Sequence, residues 1–352
     1  MKLLKLIERK GREFLLEFLR LVLKPAQINK HKIKKIKNVI IVRIDERLGN
    51  LVLITPVIKS FLKNNIKVTV IAASVFSKLL YTINNIRIIE FNKKKLFNPI
   101  YLLKYILFLR KEKYDLLFDA SNPNEMSTLT FFVILLLKAR YKIGFLRKNS
   151  DLILNLCVNR PEKEIHIVEY YKILFKTLGL KYYLDPRISL PTEIKRRYLN
   201  LKKEFKNKTL IAVHPGGRGN KQWKIERFLK LLRMIRKSYP EYAFLIILGP
   251  SEKDLIKIFQ SQGYRVILPV DVLDLSAYFS ICKIFIGNDS GPMHLAAALG
   301  LNVLAIFKDT ARAVFRPLSK RYKILSAHRV NSISANLAFN AFVSLLHNSE
   351  KA

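Results

Sequence analysis

The chain has 352 residues, 50% of them hydrophobic, enough to fill the cores of two α/β domains. Its 64 Lys and Arg against 26 Asp and Glu give a formal net charge of +38. That excess points to an anionic partner: nucleic acid, an acidic membrane surface, or a phosphorylated or carboxylated substrate. The longest uncharged apolar run, residues 131–137 with its flanks, is too short to span a bilayer, and the N-terminal segment lacks a small-residue cleavage site, which argues against a signal peptide.

In chain order, residues 1–24 place Leu3, Ile7, Phe14, Phe18 and Val22 on one helical face and Lys2, Lys5, Arg9 and Arg12 on another. This basic amphipathic helix suits a membrane interface or the protein's own core. Pro25 ends it, and the run KHKIKKIK at 30–37 reads as a linker that favours anionic headgroups. The β-branched run NVIIVRI at 38–44 predicts a strand buried on both faces. It leads through Asp45-Glu-Arg-Leu-Gly-Asn50 into a helix over 52–62. Strands over 68–72, 87–91, 115–120 and 141–145 then alternate with helices near 76–81, 100–110 and 126–137, and a loop and a helix over 166–178 close this half. Pro186 and Pro191 mark a boundary.

The second half repeats the plan. A basic helix over 193–205 precedes a strand at 210–213, a glycine-rich turn at 214–223 and a helix over 226–236. Further strands are expected at 244–248, 265–268, 283–287, 303–307 and 322–325. Helices are expected from Glu252, over 275–282, after Asn288-Asp-Ser290, and over 333–346. The βαβα order predicts parallel, doubly wound α/β sheets in two Rossmann-like domains that face each other across a cleft. The expected division is an arm and linker at 1–37, domains at 38–190 and 191–328, and a terminal helix at 329–352. Cys157 and Cys282 stand far apart in apolar contexts and read as small core residues of a reducing compartment.

Two turns carry chemistry. In KIFIGNDSGPMHLAAALG, residues 283–300, a short strand passes through the cap residues Asn288, Asp289 and Ser290 into a helix with Pro292 in its first turn. Gly291 lets a ligand approach the backbone, the helix start is an anion site, Asp289 accepts from hydroxyls, and His294 lies at the same mouth. A phosphate beside hydroxyls describes a sugar nucleotide, although an ordinary capped turn reads the same way. The second turn, His214 to Trp223, combines Gly216, Gly217 and Gly219 with Arg218, Lys221 and Lys224. It fits neither a P-loop nor a G-x-G-x-x-G fingerprint. There is no metal-ligand spacing, so no metal and no cofactor are expected. Nor is there a nucleic-acid module, so the charge is not assigned to nucleic acid.

The combination VHPGGRGNKQW, ILGPSEKD and FIGNDSGPMHLAAALGLNVLAIF, with VRIDERLGNLVLITPVIKSF near the start, resembles glycosyltransferase family 9, the lipopolysaccharide heptosyltransferases, over roughly residues 38–310. The resemblance implies a GT-B fold and inverting transfer of heptose from ADP-heptose, usually onto lipid A core sugars at the inner membrane. It places the protein in the cytoplasm, peripheral on the inner face of the cytoplasmic membrane, with an anionic glycolipid acceptor. It further implies that Lys221 holds the diphosphate, Glu252 the ribose, Ser290 and Gly291 the phosphates through backbone N–H groups, and Asp289 the sugar hydroxyls. His294 would support the pocket. His214 and Gly216 join this donor set, His214 reading equally as a packed strand-end histidine, and Trp223 is expected to be a wall of the site.

Two positions depart from the family pattern. Its Gly-Asp is Gly49-Asn50 here, which removes the carboxylate usually assigned as base, and its Phe-Gly-x-Thr is Phe307-Lys308-Asp309-Thr310. Asp45, directly after the first strand, is the expected replacement base, and Asn50 would orient the acceptor hydroxyl; Asp45 reads equally as a partner of Arg47. A different nucleotide-sugar, or a scaffold that binds the donor without turning it over, stays open.

Overall fold

The computed structural model describes residues 27–28, 33–206, 208–217 and 219–347. The amphipathic helix expected over 1–24, the start of the basic run at Lys30 and Arg218 of the glycine-rich turn lie outside them.

The first half consists of β1 (Asn38–Arg43), α1 (Leu48–Leu53), α2 (Thr55–Lys63), β2 (Lys67–Ala73), β3 (Ile86–Phe91), α3 (Pro99–Lys111), β4 (Lys113–Asp119), α4 (Thr128–Leu136), β5 (Lys138–Phe145), β6 (Leu156–Val158) and α5 (Ile167–Thr177). The short helices α6 (Thr192–Arg196) and α7 (Leu199–Glu204) lead into β7 (Thr209–His214), α8 (Ile225–Ser238), β8 (Tyr242–Ile247), α9 (Ile256–Gln260), β9 (Arg265–Ile267) and α10 (Val272–Ser280). The chain continues with β10 (Ile284–Asn288), α11 (Gly291–Ala298), β11 (Asn302–Lys308), α12 (Asp309–Phe315), β12 (Tyr322–Ala327) and α13 (Ala335–His347).

Each half builds one six-stranded sheet, ordered β3-β2-β1-β4-β5-β6 and β12-β11-β10-β7-β8-β9, with every strand pair parallel. Relative to its own half, each order is 3-2-1-4-5-6, the Rossmann arrangement, so each sheet has a switch point beside its first strand. The buried strands explain the sequence signal. In β1, Val39 and Ile41 enter one apolar cluster while Ile40 and Val42 enter another. In β7, Leu210 and Ala212 face one core and Ile211 and Val213 the other.

The helix expected over 52–62 is two helices that meet at Ile54. Pro56 has no N–H to return to Val52, and the Thr55 hydroxyl donates to that carbonyl instead, at 2.9 Å. The helix expected over 193–205 also divides, at Tyr198, whose ring stacks on Tyr278 with centroids 3.8 Å apart and whose hydroxyl donates to Asp274 at 2.5 Å. Residues 77–82 form a 3₁₀ helix, and β6 and α12 are elements that the sequence pattern does not signal. The terminal helix α13 packs its Phe342 and Leu345 with Phe228 and Ile235 of α8 in the core of the second sheet. Among the described residues, no helix is long and apolar enough to cross a membrane.

The halves meet where α1 crosses α11. A Cβ added at Gly49 would lie 2.6 Å from the His294 ring, and one added at Gly291 would lie 2.8 Å from Leu48 Cβ and 3.1 Å from the Gly49 nitrogen. The glycine at 291, expected to let a ligand approach the backbone, is also where the other half of the protein packs. One apolar cluster runs through this contact, joining Leu48, Leu51 and Val52 to Met293, Leu295 and Ala296. The Ile188 N–H donates to the carbonyl at the end of α11, Ala298 O, at 2.8 Å. His166 caps α5 through Nδ1, and its Nε2 lies 3.0 Å from the Arg316 carbonyl, which fixes the proton on Nε2.

Gly291→Ala should destabilise the protein by about 1–3 kcal/mol, because backbone and a buried side chain must yield to the methyl. An unchanged thermal midpoint would show that the contact has room to spare. Burial, before any neighbouring charge, pushes the pKa of His166 down to about 4 and that of His294 down to about 3, from an ordinary 6.5. The unfolded chain then binds protons that the folded chain refuses, so this part of the stability is complete above pH 6.5 and is lost as the pH falls from there toward 4. Thermal midpoints measured across that range should fall less steeply in His166→Gln, which keeps a donor for Arg316 but does not titrate.

Candidate active site

The second switch point lies between β7 and β10, which pair from Ile211 and Ile284 to His214 and Gly287. The glycine-rich turn leaves the end of β7, and the helix start of α11 follows β10. Asn288 holds the two together. Expected as a cap residue, it is instead the last residue of β10 and fully buried. Its amide donates to Pro215 O at 2.8 Å and Gly216 O at 3.1 Å, and its oxygen accepts from the Trp223 N–H at 3.2 Å. Both ends of the turn are thus anchored to one side chain. Trp223 is fully buried and donates its indole N–H to Ile333 O at 2.9 Å, so it is a wall of the turn.

Between these anchors the chain rises through Gly219, whose φ of +57° lies in the left-handed region. The turn delivers Lys221, whose ammonium lies 2.7 Å from Asp289 Oδ2, the lysine side chain 37% exposed and the aspartate 8%. Ser290 is the N-cap residue of α11, but its side chain accepts nothing from the helix, and its buried hydroxyl has no hydrogen-bond partner among the described residues. The first turn of α11 adds the backbone N–H groups that every helix start leaves without intrahelical partners.

His214, Gly216 and Glu252 form a tight group. A Cβ at Gly216 would lie 2.7 Å from His214 Nε2 and 2.8 Å from the Glu252 carboxyl carbon, so only glycine fits between them. His214 Nδ1 meets Ile247 O at 2.9 Å, and burial holds its pKa below the usual value against the opposing pull of that carbonyl and Glu252. Glu252 accepts from the Gly249 N–H at 2.8 Å and the Ser251 hydroxyl at 2.7 Å, bracing the turn after β8. His294, also neutral, packs against Gly49 and lies edge-on to Phe315 at 6.4 Å.

The first sheet's switch point is built differently. Arg43, 3% exposed, reaches across from β1 to the Ala120 carbonyl after β4 and forms an ion pair with Asp45, Nε to Oδ1 2.6 Å. Asp45 thus pairs with Arg43 rather than with Arg47. Asn50 donates its amide to Asp45 Oδ2. Beside them a buried Asp119–Arg147 pair ties the end of β4 to Ser121 and Asn122, and Tyr171 donates to Ala120 O at 3.1 Å. Arg43 is not among the residues expected from the sequence, and its signal there is a lone arginine at the end of a β-branched strand.

All ten expected residues therefore lie at the carboxyl ends of β1, β7, β8 and β10 and on the helix starts that follow, linked through Asn288 and the Gly49–His294 contact. Lys308 ends β11 of the same sheet. Among the described residues, no cluster of His, Cys, Asp or Glu is arranged to hold a metal ion.

The model of glycosyltransferase family 9 (heptosyltransferase) matches residues 103–337, from α3 through the whole second sheet into α13. Lipooligosaccharide heptosyltransferase 2 of Campylobacter jejuni is 27% identical over 241 residues, 63% of this chain and 67% of that protein. A family 9 glycosyltransferase from Veillonella parvula superposes with a TM-score of 0.76 at 17% identity, covering 93% of this chain and 99% of its own. The ADP-heptose lipopolysaccharide heptosyltransferase II of Escherichia coli superposes with a TM-score of 0.72 at 17% identity, over 88% and 99%. These structures share the two-sheet GT-B fold with this chain. With that fold, and a family match across more than half of its length, the chain belongs to glycosyltransferase family 9 (heptosyltransferase).

Proposed function

We propose that this enzyme transfers heptose from ADP-heptose, with inversion, to a core sugar of a lipopolysaccharide-type glycolipid. In this reading residues 191–328 take the donor, residues 38–190 take the acceptor, and residues 1–37 rest on the anionic inner face of the cytoplasmic membrane. The observation that carries it is the Lys221–Asp289 pair at the start of α11, a cation for phosphate beside a carboxylate for hydroxyls, in a chain of this family. The named activities of the relatives supply the sugar and the nucleotide.

The chemistry follows from the positions of the groups. As the acceptor oxygen attacks the anomeric carbon, the bond from that carbon to the phosphate oxygen breaks and ADP departs with the negative charge. Lys221 and the first-turn N–H groups of α11 stabilise that charge as it develops. Ser290 adds a hydroxyl that has no partner among the described residues. Glu252 takes the ribose, beside Gly216 and His214. The acceptor proton needs a base, and Asn50, being a neutral amide, cannot serve. Asp45 takes that role, with Arg43 and Asn50 holding its two oxygens in place.

Purified enzyme given ADP-heptose and a heptose-free core acceptor should release ADP. Lys221→Ala should lower kcat/KM at least roughly tenfold, the worth of one charge-assisted hydrogen bond of about 1.5–3 kcal/mol. Turnover with UDP- or GDP-sugars in place of ADP-heptose would favour a different donor, and binding of ADP-heptose without turnover would favour a scaffold. Asp45→Asn should lower kcat by about 10²–10⁴-fold and leave donor affinity unchanged. Full turnover with an unaltered pH profile would place the base elsewhere.

A further inference from the structure

α3 covers the face of the first sheet opposite α1 and α5: its Leu109 enters the cluster of Ile40, Val42 and Leu117, whereas the interface helices pack on Val39 and Ile41. Leu109 is the one buried residue of this helix. At about 100° per residue, Ile100, Leu103 and Leu107 share the side opposite Leu109. They are 66%, 59% and 53% exposed, and Phe97, in the turn just before the helix, is 89% exposed. Single exposed leucines are ordinary, but a stripe of three led by a bare phenylalanine is not.

The charges around the stripe share one sign. Lys93, Lys94 and Lys95 precede Phe97, Lys104 and Lys111 flank the aliphatic residues, and Arg110 closes the end, all of them exposed. The nearby carboxylate, Glu112, is held by Arg87 in a two-bond pair at 2.7 and 3.0 Å. An apolar stripe edged by lysines matches an anionic bilayer surface, with side-chain tips in the acyl boundary and ammonium groups among the headgroups. A second copy of the chain would bring lysine clusters against each other, and a nucleic acid would meet the charge but leave the aliphatic stripe in water.

We propose that the outer face of α3 and the turn before it, residues 93–111, form a membrane-docking surface for anionic lipid, separate from the N-terminal arm. The proposal rests on this face alone and not on the assignment of donor or acceptor. It would seat the first half of the enzyme on the bilayer by its sheet-covering helix, with the interdomain contact on the opposite side of that sheet.

The test uses the full chain, residues 1–26 included, and phosphatidylcholine vesicles with and without phosphatidylglycerol. Leu103→Ser with Leu107→Ser should lower the partition coefficient on anionic vesicles roughly tenfold or more. Lys104→Glu with Lys111→Glu should weaken binding to the anionic vesicles and leave the neutral ones unaffected, and ADP binding should stay at the wild-type level in both. Leu103→Trp gives a readout that needs no loss of folding: Trp223 is fully buried and emits as a constant background, and the new indole should shift to shorter wavelength when anionic vesicles are added. Wild-type vesicle binding in both double variants, or emission from Leu103→Trp that ignores vesicles, would overturn the proposal. So would a wild-type dimer that the leucine substitutions dissociate.

Discussion

The crossing of α1 over α11 is the constraint on which the site depends. Backbone meets backbone at Gly49 and Gly291 because neither carries a Cβ, and the neutral ring of His294 fills the space beside them. From Gly49 the chain leads at once to Asn50, then through a hydrogen bond to Asp45 and on to Arg43 at the end of β1. From Gly291 it leads back through Ser290 to Asp289 and Lys221. Groups from two sheets are thereby held a few residues from one shared contact. A charged imidazole would have to be desolvated inside the same cluster, so the contact favours neutral histidines.

The two sheets have the same strand order and use their switch points in opposite ways. The first is closed by side chains: Arg43 spans β1 to Ala120, and Arg147 locks Asp119 to the loop that follows β4. Such buried pairs do little for net stability, but they leave the loops few alternatives. The second is lined by glycines and secured from behind by Asn288, so backbone rather than side chain forms its surface. Side chains fix the loops on the side assigned to the acceptor, and backbone held by Asn288 fixes the turn on the side assigned to the donor.

Much of this was legible in the sequence. Continuous β-branched runs such as NVIIVRI announce strands buried on both faces, and alternation with amphipathic helices announces parallel sheets. The two motif turns were visible because glycine, aspartate and proline act through the local backbone. What could not be read was set by partners far away in the chain. The helix expected over 193–205 breaks before Tyr198, whose side chain is held by Tyr278 and Asp274. Asn288 looked like a cap because its true partners, Pro215 and Gly216, lie more than seventy residues earlier. The packing of Gly291 against α1 could not be read either, because that helix comes from the other half. β6 has three residues and takes its identity from β5.

The Lys221–Asp289 pair gives Lys221 a counter-ion from within the protein. A phosphate that draws Lys221 away leaves a carboxylate that is 8% exposed, and a buried acceptor without donors is costly. Bare phosphate or a nucleoside diphosphate satisfies the lysine and strands the aspartate. A ligand that brings phosphate and neighbouring hydroxyls together satisfies both at once. On the donor assignment proposed above, the pair would favour an intact sugar nucleotide over the spent nucleotide, because only the former brings a phosphate for the lysine and a neighbouring sugar hydroxyl for the carboxylate.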